Sequence, residues 1–317
     1  MNVVVTGATS FTGVPMIREL IRRGHRVYGV VRPGSKQRWR LEEFSAEPSC
    51  LTILEMDLGE LHKIGGLIKE ECQWYCHFGW DGSGSENRMK RDVQQKNCED
   101  SLKALAGAES LGCKRFLFSG SQAEYGVFRE ALKEEQPCRP VSEYGKAKVD
   151  FGTRAMEMAE NFRRDRKSEL EYIHARIFSV YGPGDHPWSL VESCLRSFLH
   201  GDYISLGECT QMWNYLYIDD LVRALLSLLE MEGSGRSGFY NVAAPEAETR
   251  VLREYVRMMY EVCGCHGSYS YGRRPQNAEG PANLIPDITK MQAATGWKAE
   301  VPFKEGIRRM TEHPAEV

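Results

Sequence analysis

The stretch MNVVVTGATSFTG, residues 1–13, decides the fold. Val3–Thr6 is a short β-branched run that ends at a glycine, which is typical of a buried parallel strand. Gly7 and Gly13 then bracket a turn that has Ser10 at its middle. Small residues there let backbone N–H groups approach a pyrophosphate, and the positive end of the next helix points at it. Apolar residues of that helix recur at helical spacing, at Met16, Ile17, Leu20 and Ile21.

Strands and helices alternate from this start to about residue 180, which is the mark of a doubly wound α/β sheet. The predicted strands are Arg26–Val31, Leu51–Leu54, Trp74–Phe78, Arg115–Ser119 and Glu171–Phe178, and the predicted helices are Leu61–Lys69, Val93–Leu111 and Lys146–Asn161. The order is looser beyond this point. We therefore predict a Rossmann sheet with a smaller, interwoven C-terminal substrate-binding domain. The dinucleotide-binding domain would hold residues 1–178 and about 207–243, and the substrate-binding region residues 179–206 and 244–317.

Composition limits the function classes. The 317 residues are 42% hydrophobic and 27% charged with a net charge of −3, which is ordinary soluble usage and indicates no polyanion partner. The chain has no apolar run of about 18 residues, and it opens on a strand instead of a signal peptide, so we expect a cytoplasmic protein with no membrane contact. The ten cysteines form no CxxC pair and are interpreted as reduced thiols. Cys263, Cys265 and His266 lack a second ligand pair, so no metal is predicted.

The end of the second strand bears on the choice of nucleotide. A carboxylate there would bond the ribose 2′-OH of NAD, whereas an arginine would accommodate the 2′-phosphate of NADP. Arg32 follows this strand, with no carboxylate nearby and with Ser35 or Lys36 able to assist it. The alternative is a solvated arginine at a strand end. The pattern favours NADP(H) and leaves NAD(H) open.

Further motifs, in order and spacing, resemble those of the extended short-chain dehydrogenase/reductase family, which holds nucleotide-sugar epimerases, dehydratases and 4-ketoreductases. The resemblance covers nearly the whole chain. The matching segments are Thr6–Gly13, with Ser10 replacing the usual middle glycine, Asp57-Leu58, His77–Trp80, Asn97, Phe118–Gly126, Tyr144–Lys148, Tyr181–Gly184, Tyr215–Asp220, Tyr240–Val242 and Gly296-Trp297.

The resemblance implies a site residue by residue. It implies an NAD(P)-dependent enzyme, a nucleotide-diphosphate sugar as substrate and a homodimer. The implied cofactor-binding residues are Gly7, Ser10, Phe11, Thr12, Gly13, Arg32, Asp57, Leu58, Phe78, Gly79, Asn97, Tyr144 and Lys148. The implied substrate-binding residues are Ser121, Ser179, Trp213 and Arg274. Ser179 and Trp213 depart from the family, which often has Asn and Arg there to hold the diphosphate, whereas Arg274 matches it.

The implied catalytic residues are Ser121, Tyr144 and Lys148, and their chemistry can also be argued from spacing. Tyr144 and Lys148 are four apart, so they share one face of a helix. A lysine ammonium beside a tyrosine favours the phenolate and so lowers the tyrosine pKa, which suits general acid–base work. Ser121 would hydrogen-bond the same substrate oxygen. The alternative is that Tyr144 and Lys148 are an ordinary pair on the surface of a helix, with no catalytic role.

Residues that depart from the family pattern reduce the number of reactions that the chain is expected to catalyse. Dehydratases carry Asp-Glu directly after the catalytic hydroxyl residue, whereas this chain has Gln122 and Ala123, so dehydration is not expected. A Glu before Tyr-Gly, here Glu124, resembles the pattern of some 4-keto-6-deoxy-sugar reductases. The alternative is that Glu124 is simply an exposed residue. His174 and His186 are interpreted as structural. We favour an NADP(H)-dependent 4-ketoreductase acting at C4 of a nucleotide sugar. The alternatives are a 4-epimerase with tightly bound NAD, a reductase of a non-sugar carbonyl and a non-catalytic cofactor sensor. The intact set of Ser121, Tyr144 and Lys148 disfavours the cofactor sensor.

Overall fold

The structure is a computed structural model that describes residues 1–44, 49–83, 86–274 and 282–312. Within these ranges the chain forms thirteen strands: β1 (Asn2–Thr6), β2 (Arg26–Val31), β3 (Leu51–Glu55), β4 (Trp74–His77), β5 (Arg115–Ser121), β6 (Glu171–Ile177), β7 (Ser179–Tyr181), β8 (Tyr203–Ser205), β9 (Met212–Trp213), β10 (Tyr215–Tyr217), β11 (Gly238–Val242), β12 (Arg250–Val251) and β13 (Ser268–Ser270).

The same residues form eight α-helices: α1 (Gly13–Arg22), α2 (Arg91–Ser110), α3 (Glu143–Arg166), α4 (Leu190–His200), α5 (Ile218–Leu229), α6 (Leu252–Val262), α7 (Thr289–Thr295) and α8 (Phe303–Glu312). In the described part of the chain, no helix combines the length and the apolar character needed to cross a bilayer.

The main sheet has seven strands in the order β11-β6-β5-β4-β1-β2-β3. Register pairs from β3 through β2, β1 and β4 to β5 are parallel. Along the chain, β1 to β3 therefore extend the sheet in one direction, and β4 to β6 extend it in the opposite direction from the other side of β1. In such sheets ligands bind at the carboxyl ends of the strands where this order reverses, here at the ends of β1 and β4. The predicted doubly wound parallel sheet is confirmed.

Element bounds differ from the prediction in physically clear ways. Helix α3 begins at Glu143, three residues earlier than predicted, because Ser142 caps it and accepts a hydrogen bond from the Gly145 amide at 3.2 Å. The helix predicted at Leu61–Lys69 is a 3₁₀ segment, Leu58–Gly66, whose two consecutive glycines at its end disfavour α-helix.

Contacts divide the chain into two compact units. The first holds Met1–Glu124, Pro140–Arg176 and Leu225–Tyr240, and the second holds Tyr125–Arg139, Ile177–Ala224 and Asn241–Val317. The first unit contains the glycine loop and helices α1, α2 and α3. Its core includes the stacked rings of Tyr75 and Phe116, whose centroids lie 5.3 Å apart.

The second unit is built on short strand pairs. Strands β7 and β10 are parallel, as are β8 and β13, whereas β9 and β12 are antiparallel. Four buried aromatic side chains pack between them and the helices, with neighbouring ring centroids 4.6–5.8 Å apart: Tyr181, Tyr215, Tyr255 and Phe303.

Candidate active site

The glycine loop between β1 and α1, residues 7–13, forms a concave backbone surface, here called the cradle, that side chains at Gly7 or Gly13 would obstruct. Gly7 has φ +65°, and a Cβ there would lie 2.7 Å from the carbonyl carbon of Phe78. A Cβ on Gly13 would lie 2.2 Å from the Gly7 carbonyl oxygen. Both positions therefore require glycine, because a side chain at Gly7 would push the loop off the segment that follows β4 and one at Gly13 would collide with the backbone of the loop itself.

The amino end of α1 suits an anion. The Ser10 hydroxyl accepts a hydrogen bond from the Gly13 amide at 2.9 Å. Thr12 is the N-cap residue, and within the described residues its side chain makes no capping hydrogen bond. Phe11 is half-buried beside them. Amide groups and the helix dipole there can receive a pyrophosphate. The cradle and this helix end therefore fit a dinucleotide cofactor.

Residues after β3 and β4 line the neighbouring part of the same edge. A Cβ on Gly79 would lie 2.6 Å from a methyl group of Leu58, so the close contact of these two segments depends on glycine. Asp57 is exposed directly before Leu58. Asn97 is buried, and its amide group both accepts from the backbone N–H of Asp81 (2.9 Å) and donates to its carbonyl (2.7 Å). Asn97 thus fixes the loop that follows β4.

Arg32 stands at the carboxyl end of β2. Its guanidinium is exposed and lies 3.8 Å from the Asp81 carboxylate. Ser35 is half-buried and Lys36 is exposed. An ion pair between two exposed groups is worth at most about 1 kcal/mol. Arg32 therefore remains available to a stronger anion.

Helix α3 brings Tyr144 and Lys148 to its first two turns. Tyr144 is nearly buried, and its amide donates to the Arg88 carbonyl at 2.9 Å. A Cβ on Gly145 would lie 2.4 Å from the Ala123 carbonyl oxygen, so this turn of α3 packs directly on the segment that follows Ser121. The segment that follows Ser121 and the helix turn that carries Tyr144 therefore meet in the first unit.

Lys148 is a buried cation in an aromatic setting. Its ammonium donates to the Ser119 carbonyl at 2.6 Å and lies 3.9 Å from the ring centroid of Trp80 and 4.3 Å from that of Phe118. Burial lowers the pKa of Lys148 from its ordinary value to about 7, although the Glu124 carboxylate opposes the shift. A lysine poised in this way can exchange a proton near neutral pH.

Ser121 ends β5, half-buried, and its hydroxyl accepts a hydrogen bond from the Ala123 amide at 3.2 Å. Gln122 and Ala123 follow in a short 3₁₀ turn with Glu124. Glu124 is fully buried, which rules out the interpretation that it is simply exposed. Its carboxylate accepts from the Ser121 amide at 2.8 Å.

Of the four predicted substrate residues, Ser121 lies in the first unit, and Ser179, Trp213 and Arg274 lie in the second. Ser179 pairs with Tyr215 across β7 and β10, and Trp213 pairs with Arg250 across β9 and β12. The Trp213 indole N–H is buried and finds no acceptor within the described residues. Arg274 is exposed, and its backbone amide donates to the Leu206 carbonyl at 3.2 Å.

Sequence reasoning missed two neighbours of Tyr144. The Arg88 guanidinium lies 4.2 Å from the Tyr144 ring centroid, and Trp80 meets the same ring edge-on at 6.0 Å. Trp80 is fixed by a 2.8 Å hydrogen bond from its indole N–H to Gln94. Its place just after β4 was a usable signal, whereas nothing in the pattern around Arg88 distinguished it.

The candidate metal ligands are not assembled. Within the described ranges no three or more His, Cys, Asp or Glu side chains are grouped so that they could hold a metal ion. None of the ten cysteines, all of which lie in the described ranges, forms a disulfide. Burial raises the pKa of most of them, for example that of Cys72 to about 11, so these thiols are poor nucleophiles.

A Rossmann sheet with this loop and a Ser/Tyr/Lys set defines a nicotinamide-dependent enzyme. The sequence profile of the NAD dependent epimerase/dehydratase family matches residues 3–243, and the chain belongs to this family. The predicted resemblance is confirmed.

Relatives of the chain differ in their reactions. It is 23% identical to a UDP-glucose 4-epimerase of Lactobacillus helveticus, over 94% of this chain and 92% of the relative. It is 25% identical to UDP-glucuronic acid decarboxylase 1 of Arabidopsis thaliana, over 98% and 69%. The fold is similar to that of the UDP-glucose 4-epimerase of Thermotoga maritima solved with UDP-glucose, with a TM-score of 0.83, 24% identity and coverage of 99% and 98%.

Proposed function

We propose that this protein is an NADP(H)-dependent ketoreductase acting at C4 of a nucleotide-diphosphate sugar. The observation that carries the proposal is the convergence of Ser121, Tyr144 and Lys148 in the unit that holds the glycine cradle. Hydride transfer to a ketone needs a proton donor for the oxygen, and this set supplies one. Family membership supports the substrate class.

The chain's residues have distinct tasks in this reaction. The bound nicotinamide supplies or accepts the hydride. Tyr144 gives its phenolic proton to the ketone oxygen as the alcohol forms. Lys148, held by the Ser119 carbonyl, places a positive charge beside Tyr144 and stabilises the phenolate that results. Ser121 donates a hydrogen bond to the same substrate oxygen and stabilises its developing charge.

The residues after Ser121 limit the reaction to hydride transfer. Gln122 and Ala123 cannot act as acid and base, and Glu124 is held by His174 and Arg176. Elimination of water would need a proton-accepting group on the sugar side of the site. The side chains that follow Ser121 supply none.

Arg32 supports NADP(H) over NAD(H). Its position after β2 is where a carboxylate would serve NAD, and the exposed guanidinium can take a 2′-phosphate in place of Asp81. We expect Arg32→Ala to weaken NADPH binding at least about tenfold, as for a charged hydrogen bond, and to leave NADH binding unchanged. Arg18→Ala, on the outer face of α1 and paired with Glu43, is the matched control. Equal affinity of the wild type for both cofactors would refute the assignment.

Substrate recognition is assigned to the second unit. The indole N–H of Trp213, which has no acceptor among the described residues, and the exposed Arg274 guanidinium suit the oxygens of a nucleotide diphosphate, with Ser179 as a further donor. Trp213→Phe keeps the ring and removes the N–H, so it should raise KM for the nucleotide sugar with little change in kcat. A homodimer remains a prediction, to be tested by light scattering.

A 4-epimerase with tightly bound NAD is the second candidate, and the Lactobacillus relative favours it. An epimerase returns the hydride to the opposite face of the same ketone, so it gains from retaining its cofactor. A reductase must exchange NADP⁺ for NADPH in each cycle.

The deciding experiment combines cofactor content with turnover. We expect purified protein to carry little nicotinamide and to consume one NADPH for each 4-keto sugar nucleotide in a screen of UDP-, GDP-, CDP- and dTDP-sugars. Protein that is saturated with NAD⁺ and interconverts C4 epimers without net change in absorbance at the NADPH band would establish the epimerase. Turnover of non-sugar ketones alone would place the substrate in another class.

A further inference from the structure

A buried carboxylate beside the catalytic serine takes no part in the proton transfer described above. Glu124 is fully buried. Its Oε1 accepts from the Ser121 amide at 2.8 Å and from His174 Nε2 at 2.8 Å, and its Oε2 accepts from Arg176 Nε at 2.8 Å. Three donors thus converge on one carboxylate.

The fold makes room for this arrangement with two glycines. A Cβ on Gly120 would lie 2.2 Å from His174 Nε2, and a Cβ on Gly152 would lie 2.9 Å from His174 Nδ1. The imidazole is therefore enclosed between β5 and α3. A larger residue at either position would displace the ring that fixes Glu124.

The hydrogen bonds also fix the proton positions. The Glu124 carboxylate can only accept, so His174 Nε2 carries the ring proton and donates to it; Nδ1 of the neutral ring then accepts from the Tyr172 hydroxyl, 2.6 Å away. Burial lowers the pKa of His174, which keeps the ring neutral. The Glu124 negative charge is then balanced by Arg176. Burial alone would raise the pKa of Glu124, but His174 and Arg176 outweigh it and hold that pKa at about 2.

If Glu124 served only as the ion-pair partner of Arg176, its carboxylate would not need to accept a hydrogen bond from the Ser121 amide. A buried pair is weak evidence for stability, since apolar replacements are often as stable. Here one carboxylate oxygen is directed at the Ser121 N–H, just where β5 ends and the backbone turns. A charge-assisted bond at that point fixes the position of the residue whose hydroxyl faces the reacting oxygen.

We propose that Glu124 is a positioning residue that holds Ser121 in its catalytic place, and that His174 and Arg176 hold Glu124. This inference rests on the proposed function in that Ser121 is taken to contact the substrate oxygen. Removing the carboxylate should leave the serine hydroxyl present but free to move, so kcat should fall while cofactor affinity, set by the glycine loop, should not.

The main variant is Glu124→Met combined with Arg176→Met. It removes the carboxylate and its counter-ion together, so neither member of this ion pair is left without the other. We expect kcat to fall roughly 10- to 100-fold, as for loss of a hydrogen bond to a charged group, with an unchanged Kd for NADPH. Glu124→Gln combined with the same Arg176→Met change retains one acceptor oxygen for the Ser121 amide, leaves no guanidinium facing the new amide group and should recover most of the lost kcat.

A double-mutant cycle tests whether the effect passes through Ser121. In a Ser121→Ala background the same paired change should lower kcat less than about threefold further, because the positioned hydroxyl is already gone. The matched control is Glu171→Gln, a buried glutamate at the opposite end of the sheet that accepts from the Arg236 amide and should leave kcat unchanged. Equal loss in both backgrounds would overturn the proposal.

A second measurement needs neither turnover nor a variant. Hydrogen exchange of the Ser121 amide in the wild type, followed by NMR, should show protection comparable to that of the β5 ladder. Exchange at the rate of an exposed loop would overturn the proposal even if every sugar were turned over. Conversely, a protected Ser121 amide in a protein that turns over no nucleotide sugar would uphold the bond and refute the proposed function instead.

Discussion

Replacing Lys148 by Met should stabilise the cofactor-free protein while abolishing turnover. The lysine is 1% exposed, and burial brings its pKa from 10.5 to about 7. At 1.36 kcal/mol per pKa unit, holding the charged form in the fold costs about 5 kcal/mol at pH 6. Met keeps the stem but loses the bond to Ser119, about 1 kcal/mol, and the contacts with two rings, about 2 kcal/mol. A net gain of about 2 kcal/mol remains.

The sign of the pH dependence makes this prediction sharp. Below pH 7 both the folded and the unfolded chain carry the Lys148 charge, so the full cost is present. Between pH 7 and 10.5 only the folded chain loses the proton, and the cost shrinks as pH rises. The advantage of Lys148→Met in denaturant unfolding should therefore be largest at pH 6 and nearly gone by pH 9.5. A variant no more stable than the wild type at pH 6, or an advantage that does not change with pH, would refute the reasoning.

Three further substitutions test the site and its frame. Tyr144→Phe should lower kcat at least about 100-fold with NADPH affinity unchanged by calorimetry, and a variant retaining a tenth of the rate would show that another group moves the proton. Gly7→Ala should abolish measurable cofactor binding, because its Cβ would lie 2.7 Å from Phe78 and its φ is +65°; binding within threefold of wild type would contradict the cradle. Ser142→Ala should lower the free energy of unfolding by about 1 kcal/mol through loss of the α3 cap, and no change would show that the cap is not needed.

The sequence allowed the fold, and the placement of Tyr144 and Lys148 on one helix, to be predicted because both depend on local patterns. The strand, glycine turn and helix at the amino terminus follow from residues within one short stretch. Tyr144 and Lys148 share a helix face by spacing alone. Ser142 also carried its cap signal in its residue type, although the helix was predicted to start three residues later.

The side chains that surround the candidate site could not be predicted, because their positions depend on tertiary contacts. Glu124 meets His174 fifty residues later in the sequence, and no periodicity links them. Its burial follows from the small size of Gly120 and Gly152, whose importance is visible only once β5 and α3 are packed. Arg88 lies in a polar loop that resembles any solvated segment, yet its guanidinium lies over the Tyr144 ring.

The strand order of the main sheet also affects how the chain folds during synthesis. Strand β6, whose residues are almost all buried, is an edge strand until β11 pairs with it, and β11 is made about 60 residues later. At ribosomal rates of about 5–20 residues per second, that edge stays open for roughly 3–12 s. An uncovered strand edge, with its unpaired backbone N–H and C=O groups, is a template for pairing with another chain. Nascent chains that end between Ile177 and Gly238 should therefore be the species most prone to aggregate and to bind chaperones.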